Sequence, residues 1–312
     1  MDQQTALSKM VSPGMRRPGA YRGGIIQIHI TRACDMSCYN CTQGSNLAGK
    51  VPMIPLELFS KAVDTLKDYF GVVGIFGGNP ALHPQFGELC RILSEKIPYE
   101  RRGLWCNHPK GNGKIMRETF NPSVSNLNVH LSQEAYDEFK RDWPESMPFG
   151  LHKDSHHSPV FTALKDLVSS EEERWELISN CDINKNWSSM IGVFRGELRA
   201  WFCEIAGAQS MLHQYEADYP DTGVPVENGW WREPMSRFTE QVQVHCHACG
   251  IPLRARGYLA ARAGGKSQVS AVHLGIFKPK RIDHEMQFVE LRSELEEQSL
   301  GEVTKYIQNS KN

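Results

Sequence analysis

The run Gly24-Ile25-Ile26-Gln27-Ile28-His29-Ile30-Thr31, followed at once by Arg32-Ala33-Cys34-Asp35-Met36-Ser37-Cys38-Tyr39-Asn40-Cys41, decides the fold. Its first half is an apolar run rich in β-branched residues, the pattern of a strand. Its second half is a loop carrying Cys34-x3-Cys38-x2-Cys41. Three soft thiolates within one short loop suit three corners of a [4Fe–4S] cube, which leaves one iron open for a bidentate small molecule. The competing reading is a structural zinc site. That needs four ligands, and the nearest fourth candidate, His29, lies inside the strand.

Working outward, strands alternate with helices. Pro55 to Phe70 carries an apolar stripe at helical spacing, and Val72 to Phe76 reads as a second buried strand ending in Gly77-Gly78-Asn79-Pro80. A helix over Pro84 to Ile97, a strand over Gly103 to Asn107, and a strand over Leu127 to Leu131 follow. A helix over Gln133 to Arg141 and a last strand over Pro148 to His152 complete the series. This rhythm predicts right-handed βαβ units whose active edge lies at the C-terminal ends of the strands. After about residue 155 the pattern changes. Glu171 to Ser179 reads as a helix, Ile191 to Phe202 as a hairpin turning at Arg195-Gly196, and Glu204 to Tyr215 as another helix.

On the cysteine loop and the glycine pair after the second strand, the chain resembles the radical S-adenosylmethionine (SAM) superfamily. The resemblance covers roughly residues 24 to 155. It implies a partial (β/α)6 barrel, a SAM-binding [4Fe–4S] cluster on Cys34, Cys38 and Cys41, and cleavage of SAM to a 5′-deoxyadenosyl radical. It also implies SAM contacts from Tyr39, from Gly77, Gly78, Asn79 and Pro80, and from Asn107 and Ser132. Gly77 to Pro80 looks like the family's GGEP motif with an amide in place of the acid, and Asn40 stands where the family commonly has an aromatic residue. Glycines there would let backbone approach the ligand. For Asn107 and Ser132 a second reading stays open, as strand-end polar residues capping the next helix.

Nine cysteines in a chain of this composition call for a further explanation. Cys90 falls in a predicted helix and Cys106 in a strand, as buried apolar residues. Cys181, Cys203, Cys246 and Cys249 form a second set ending in a CxxC, which is a metal signal compatible with zinc or with a cluster. Downstream of a radical SAM barrel this layout is similar to the auxiliary-cluster "twitch" domain of the 2-deoxy-scyllo-inosamine dehydrogenases. That resemblance implies an auxiliary [4Fe–4S] cluster. The expected organisation is an arm over 1–23, the barrel over 24–160, a small α+β twitch-like domain over 161–260, and an extension over 261–312.

Net charge is −1, which predicts neither a nucleic-acid binder nor a membrane-surface protein. No apolar stretch spans a membrane and the N-terminus has no signal-peptide core, so a cytoplasmic location is expected. His152, Lys153 and His156, after the last predicted strand, are the candidate catalytic residues for proton transfer. Trp230, Trp231 and Arg232 read as a lid or a hydrophobic anchor. From Gln241 to Ile282 there is no acidic residue, while Arg254, Arg256, Arg262, Lys266, Lys278, Lys280 and Arg281 all occur. A packed helix over Glu285 to Glu302 would neutralise them; otherwise they would suit a nucleotide or DNA substrate.

The expected function is hydrogen abstraction from a small polar substrate, leading to oxidation with the auxiliary cluster as electron acceptor. A flavodoxin or ferredoxin would be the reducing partner. The rival on the same scaffold is a redox-neutral isomerase or epimerase. From another class comes a non-catalytic zinc scaffold.

Overall fold

The computed structural model describes residues 1–16, 24–36, 38, 41–45, 51–151, 160–256, 258–262, 270–273 and 286–290. Its centre is β1 (Ile25–Thr31), buried at every position, Gln27 and His29 included. The other strands of its sheet are β2 (Val72–Gly77), β3 (Arg102–Cys106), β4 (Asn126–Leu127), β5 (Ser188–Phe194), β6 (Glu197–Trp201) and β7 (Val224–Pro225). The order is β4-β3-β2-β1-β5-β6-β7. Pairing is parallel from β4 to β5 and antiparallel from β5 to β7.

Among the described residues, the α-helices of four or more residues are α1 (Gln3–Lys9), α2 (Leu56–Asp64), α3 (Phe86–Lys96), α4 (Gly113–Thr119), α5 (Gln133–Asp142), α6 (Leu164–Leu167), α7 (Glu171–Ser179), α8 (Asp182–Asn186) and α9 (Glu204–His213). Phe86, Leu89, Cys90 and Leu93 of α3 are buried, the spacing that turns one helical stripe to the core. The Ser170 side chain caps α7 by accepting from the Glu173 amide, and Glu171, Glu172 and Glu173 complement the positive end of the helix. The fold is therefore α/β, a partial barrel followed by a smaller C-terminal part.

Several sequence expectations need correction. β4 spans only Asn126–Leu127, because the chain turns at His130 and Leu131, whose φ values are 45° and 68°. Of the strand expected over Pro148 to His152, the described residues 148–151 hold only a bridge between Asn128 and Phe149, followed by left-handed backbone at Gly150 (φ 90°) and a turn at Leu151. Within the expected C-terminal helix, Met286–Glu290 is instead β9, paired antiparallel with β8 (Tyr258–Arg262); the rest of that stretch lies outside the described residues. Trp230 and Trp231 are an anchor, not a lid: both are buried, and Trp231 packs 5.0 Å from the Tyr69 ring. The hairpin turning at Arg195-Gly196 forms as expected, but β5 also lies parallel to β1 and carries the barrel sheet into the second half. The N-terminal residues are docked, with α1 packed on α7.

Candidate functional site: two cysteine centres

The cysteine loop leaves β1 at its C-terminal end, and its described residues Asp35, Cys34 and Cys38 lie beside Asn79, Asn107 and His130, just past β2, β3 and β4. The two glycines after β2 fix it there. A Cβ on Gly77 would overlap the Thr31 carbonyl oxygen, and one on Gly78 would lie 2.8 Å from the Ala33 carbonyl carbon. The gap is closed by two backbone hydrogen bonds: the Gly78 amide donates to Thr31 O at 2.8 Å, and the Asn79 amide to Ala33 O at 2.6 Å. These glycines thus bring backbone against the strand that leads into Cys34, a role the sequence reading assigned to ligand approach.

Cys34, Cys38 and Cys41 are half-buried. The Asn107 amide nitrogen, just past β3, lies 3.9 Å from Cys34 Sγ, and His130 Nδ1, just past β4, lies 3.9 Å from Cys38 Sγ. Burial holds the His130 imidazole at about 4, so it is neutral near pH 7. Asp35 was not singled out from the sequence. Its Oδ1 accepts from the side-chain amides of Asn79 at 3.4 Å and Asn107 at 3.5 Å, and its Oδ2 pairs with Lys110 at 2.7 Å. Burial opposes ionisation of Asp35, but the Lys110 ammonium, a backbone amide and the Asn79 side chain together outweigh it and hold the carboxyl below its usual range. The carboxylate absent from position 79 is thus present one residue after Cys34. Asn107 is 6 % exposed and its Oδ1 has no partner. A buried, unpaired acceptor is costly, and here it sits beside the cysteine loop, where a ligand donor would satisfy it.

The remaining expected residues divide. Asn79 caps the short helix after β2 through the Ala81 amide, and its Oδ1 also accepts from the Cys106 thiol at 3.3 Å. Cys106 is buried as expected, and burial pushes its thiol up to about 12, yet it is tied into this polar network. Pro80 is buried at the start of that helix. Ser132 caps α5, accepting from the Ala135 amide, which is the capping alternative left open above. Tyr39, His152, Lys153 and His156 lie outside the described residues, as do the side chains of Arg254, Arg256 and Arg262.

The second set converges from three separate places. Cys181 precedes α8, Cys203 precedes α9 at the end of the β5–β6 hairpin, and Cys246 and Cys249 flank one turn. All four are 6–7 % exposed and line one apolar cavity. Four buried cysteines around one cavity can hold either a zinc ion or an iron–sulfur cluster.

Residues 28–206 match the Radical SAM superfamily. No curated protein matches the chain in sequence. Among solved structures, BtrN in complex with AdoMet and 2-DOIA aligns with a TM-score of 0.43 at 15 % identity, over 72 % of this chain and 92 % of that one. The selenomethionine form of BtrN in an open conformation gives 0.42 at 13 % identity, over 72 % and 86 %. SuiB of Streptococcus suis bound to S-adenosylmethionine gives 0.28 at 17 % identity, over 36 % and 25 %.

Proposed function

The chain belongs to the radical SAM superfamily, an enzyme carrying a [4Fe–4S] cluster and SAM, and on that premise we propose that it oxidises a small polar substrate with the help of a second cluster. The observation that carries the reading is the convergence of Cys181, Cys203, Cys246 and Cys249 on one buried cavity. Cys34, Cys38 and Cys41 would hold the first cluster, and the four buried cysteines the second. When bound, these groups supply a 5′-deoxyadenosyl radical that removes a hydrogen atom from substrate and an acceptor for the electron left behind.

The chain's own residues do the rest. Gly77, Gly78 and Asn79 hold the cysteine loop against β2. Asp35 and Asn107 present acceptors beside Cys34 to the amino group of SAM. Oxidation at a carbon bearing oxygen or nitrogen also releases a proton, and His152, Lys153 and His156 are the bases proposed to take it. A small reductant such as flavodoxin or ferredoxin would deliver the electron that starts turnover. Among the described residues no helix is long and apolar enough to cross a membrane.

The test is iron and sulfide content after anaerobic reconstitution, for wild type, a Cys34/Cys38/Cys41 triple-alanine variant and a Cys181/Cys203/Cys246/Cys249 quadruple-alanine variant. About eight irons in the wild type and about four in each variant are expected. The full enzyme should consume one SAM per product. About four irons in the wild type, all lost with the triple variant, would remove the second cluster and the oxidation with it. Catalytic rather than stoichiometric SAM would point to a reversible isomerase.

A further inference from the structure

Arg16 follows the turn Pro13–Met15 of the N-terminal segment and is 0 % exposed. A guanidinium keeps its charge in a protein, so burying one demands strong compensation. The contacts it has are weak. Nε donates to the Val11 carbonyl and Nη1 to Ser189 Oγ, each at 3.4 Å, and Nη2 has no partner. Its charged end lies 5.9 Å from the centroid of the Phe202 ring, and Phe202 both precedes Cys203 and lines the four-cysteine cavity.

Burial opposes the charge of Arg16, and the groups whose ionisation would support it are, in order, Cys203, Tyr69, Cys181 and Glu204. Tyr69 is buried, which keeps its phenol neutral. Glu204, which follows Cys203 and accepts a hydrogen bond from Ser188, is a further buried acid near Arg16. The remaining two are cysteines of the second set, and metal coordination is what makes such sulfurs durably anionic.

We infer that Arg16, carried in by the N-terminal segment, is the counter-charge of the second cysteine centre and raises its tendency to accept an electron. The inference rests on the auxiliary-cluster reading above. A fixed cation beside the centre stabilises its reduced, more negative state, and low local dielectric strengthens the effect. Arg16 is thus a positioning residue acting on the centre's potential rather than on substrate.

The experiment compares wild type with Arg16→Lys and Arg16→Met in the reconstituted full chain, by iron content and by an EPR-monitored redox titration. With about eight irons in all three, Arg16→Met should make reduction of the second cluster about tenfold less favourable, a shift of about 59 mV for one electron. Arg16→Lys should stay near the wild-type midpoint. Selective loss of the second cluster from Arg16→Met alone also supports the assignment, since only the charge separates the two variants' fates. An unchanged midpoint in a fully loaded Arg16→Met overturns it. Loss of the second cluster from both variants overturns it too, by assigning Arg16 to packing. Only about four irons in the wild type would sink the auxiliary-cluster reading and this inference together.

Discussion

Replacing Gly77 by alanine puts a methyl group into the Thr31 carbonyl oxygen and 3.2 Å from both the Thr31 carbonyl carbon and amide nitrogen. All of these are backbone atoms of β1, so no side chain can swing aside. The end of β2 must retreat from β1, which threatens the Gly78-to-Thr31 bond at 2.8 Å and the Asn79-to-Ala33 bond at 2.6 Å. Overpacking costs ~1–3 kcal/mol and each lost hydrogen bond ~1 kcal/mol, giving a loss of about 3–5 kcal/mol. The control is Gly196→Ala. Gly196 has a φ of 90° with no atom within 4 Å of an added methyl, so only left-handed strain of about 1–2 kcal/mol applies. At roughly 2 °C per kcal/mol for a chain of this size, Gly77→Ala should lower the thermal midpoint by about 6–10 °C and the control by about 2–4 °C. Because the displaced backbone leads directly into Cys34, iron in the first centre should fall as well. Equal midpoints for the two variants, or full iron loading in Gly77→Ala, would refute the argument that this glycine fastens the cysteine loop.

Asn107→Ala removes the buried acceptor beside Cys34, so SAM should bind about tenfold more weakly while iron content stays at the wild-type value; equilibrium dialysis against labelled SAM measures it. His29 is buried with Nε2 unpaired, and burial, followed by the nearby Arg32 charge, holds its imidazole down at about 3, below its ordinary 6.5. The unfolded chain therefore binds the proton first. His29 contributes stability above pH 6.5 that is lost as pH falls through 6.5 toward 3, by an amount on the order of 4 kcal/mol. A His29→Leu variant should show a flatter acid limb in denaturant midpoints taken across that window, and an unchanged limb would count against the burial argument.

Local features carried well from sequence to structure where each residue's neighbours along the chain decide its state. The β-branched run from Ile25 to Thr31 is buried throughout, and the apolar spacing of Phe86, Leu89 and Leu93 marks the inner face of α3. Helix α7 occupies Glu171–Ser179 as its capping serine and first-turn acids require, and Arg195-Gly196 turns the hairpin. Expectations failed where polar or strained residues interrupt a pattern. Leu127 to Leu131 has the apolar content of a longer strand, yet the left-handed backbone at His130 and Leu131 stops it after Leu127. Asp35 and Lys110 are 75 residues apart in number, and no periodicity links a residue of the cysteine loop to one beyond β3.

The sequence by itself determined the clustering of Cys34, Cys38 and Cys41 in one loop and the α/β class. Ligand spacing within one loop and apolar periodicity within one element are short-range properties, readable without knowing where the chain returns. Only the tertiary structure decided that β5 runs parallel to β1, so that one sheet continues from the barrel into the second half. Only it gathered Cys181, Cys203, Cys246 and Cys249 around one cavity, and brought the Arg16 guanidinium, which charge alone would place in water, against Phe202 at that cavity's wall. Those outcomes depend on which distant segments bury each other's surfaces, and that is set by the packing of the whole chain rather than by any stretch of it.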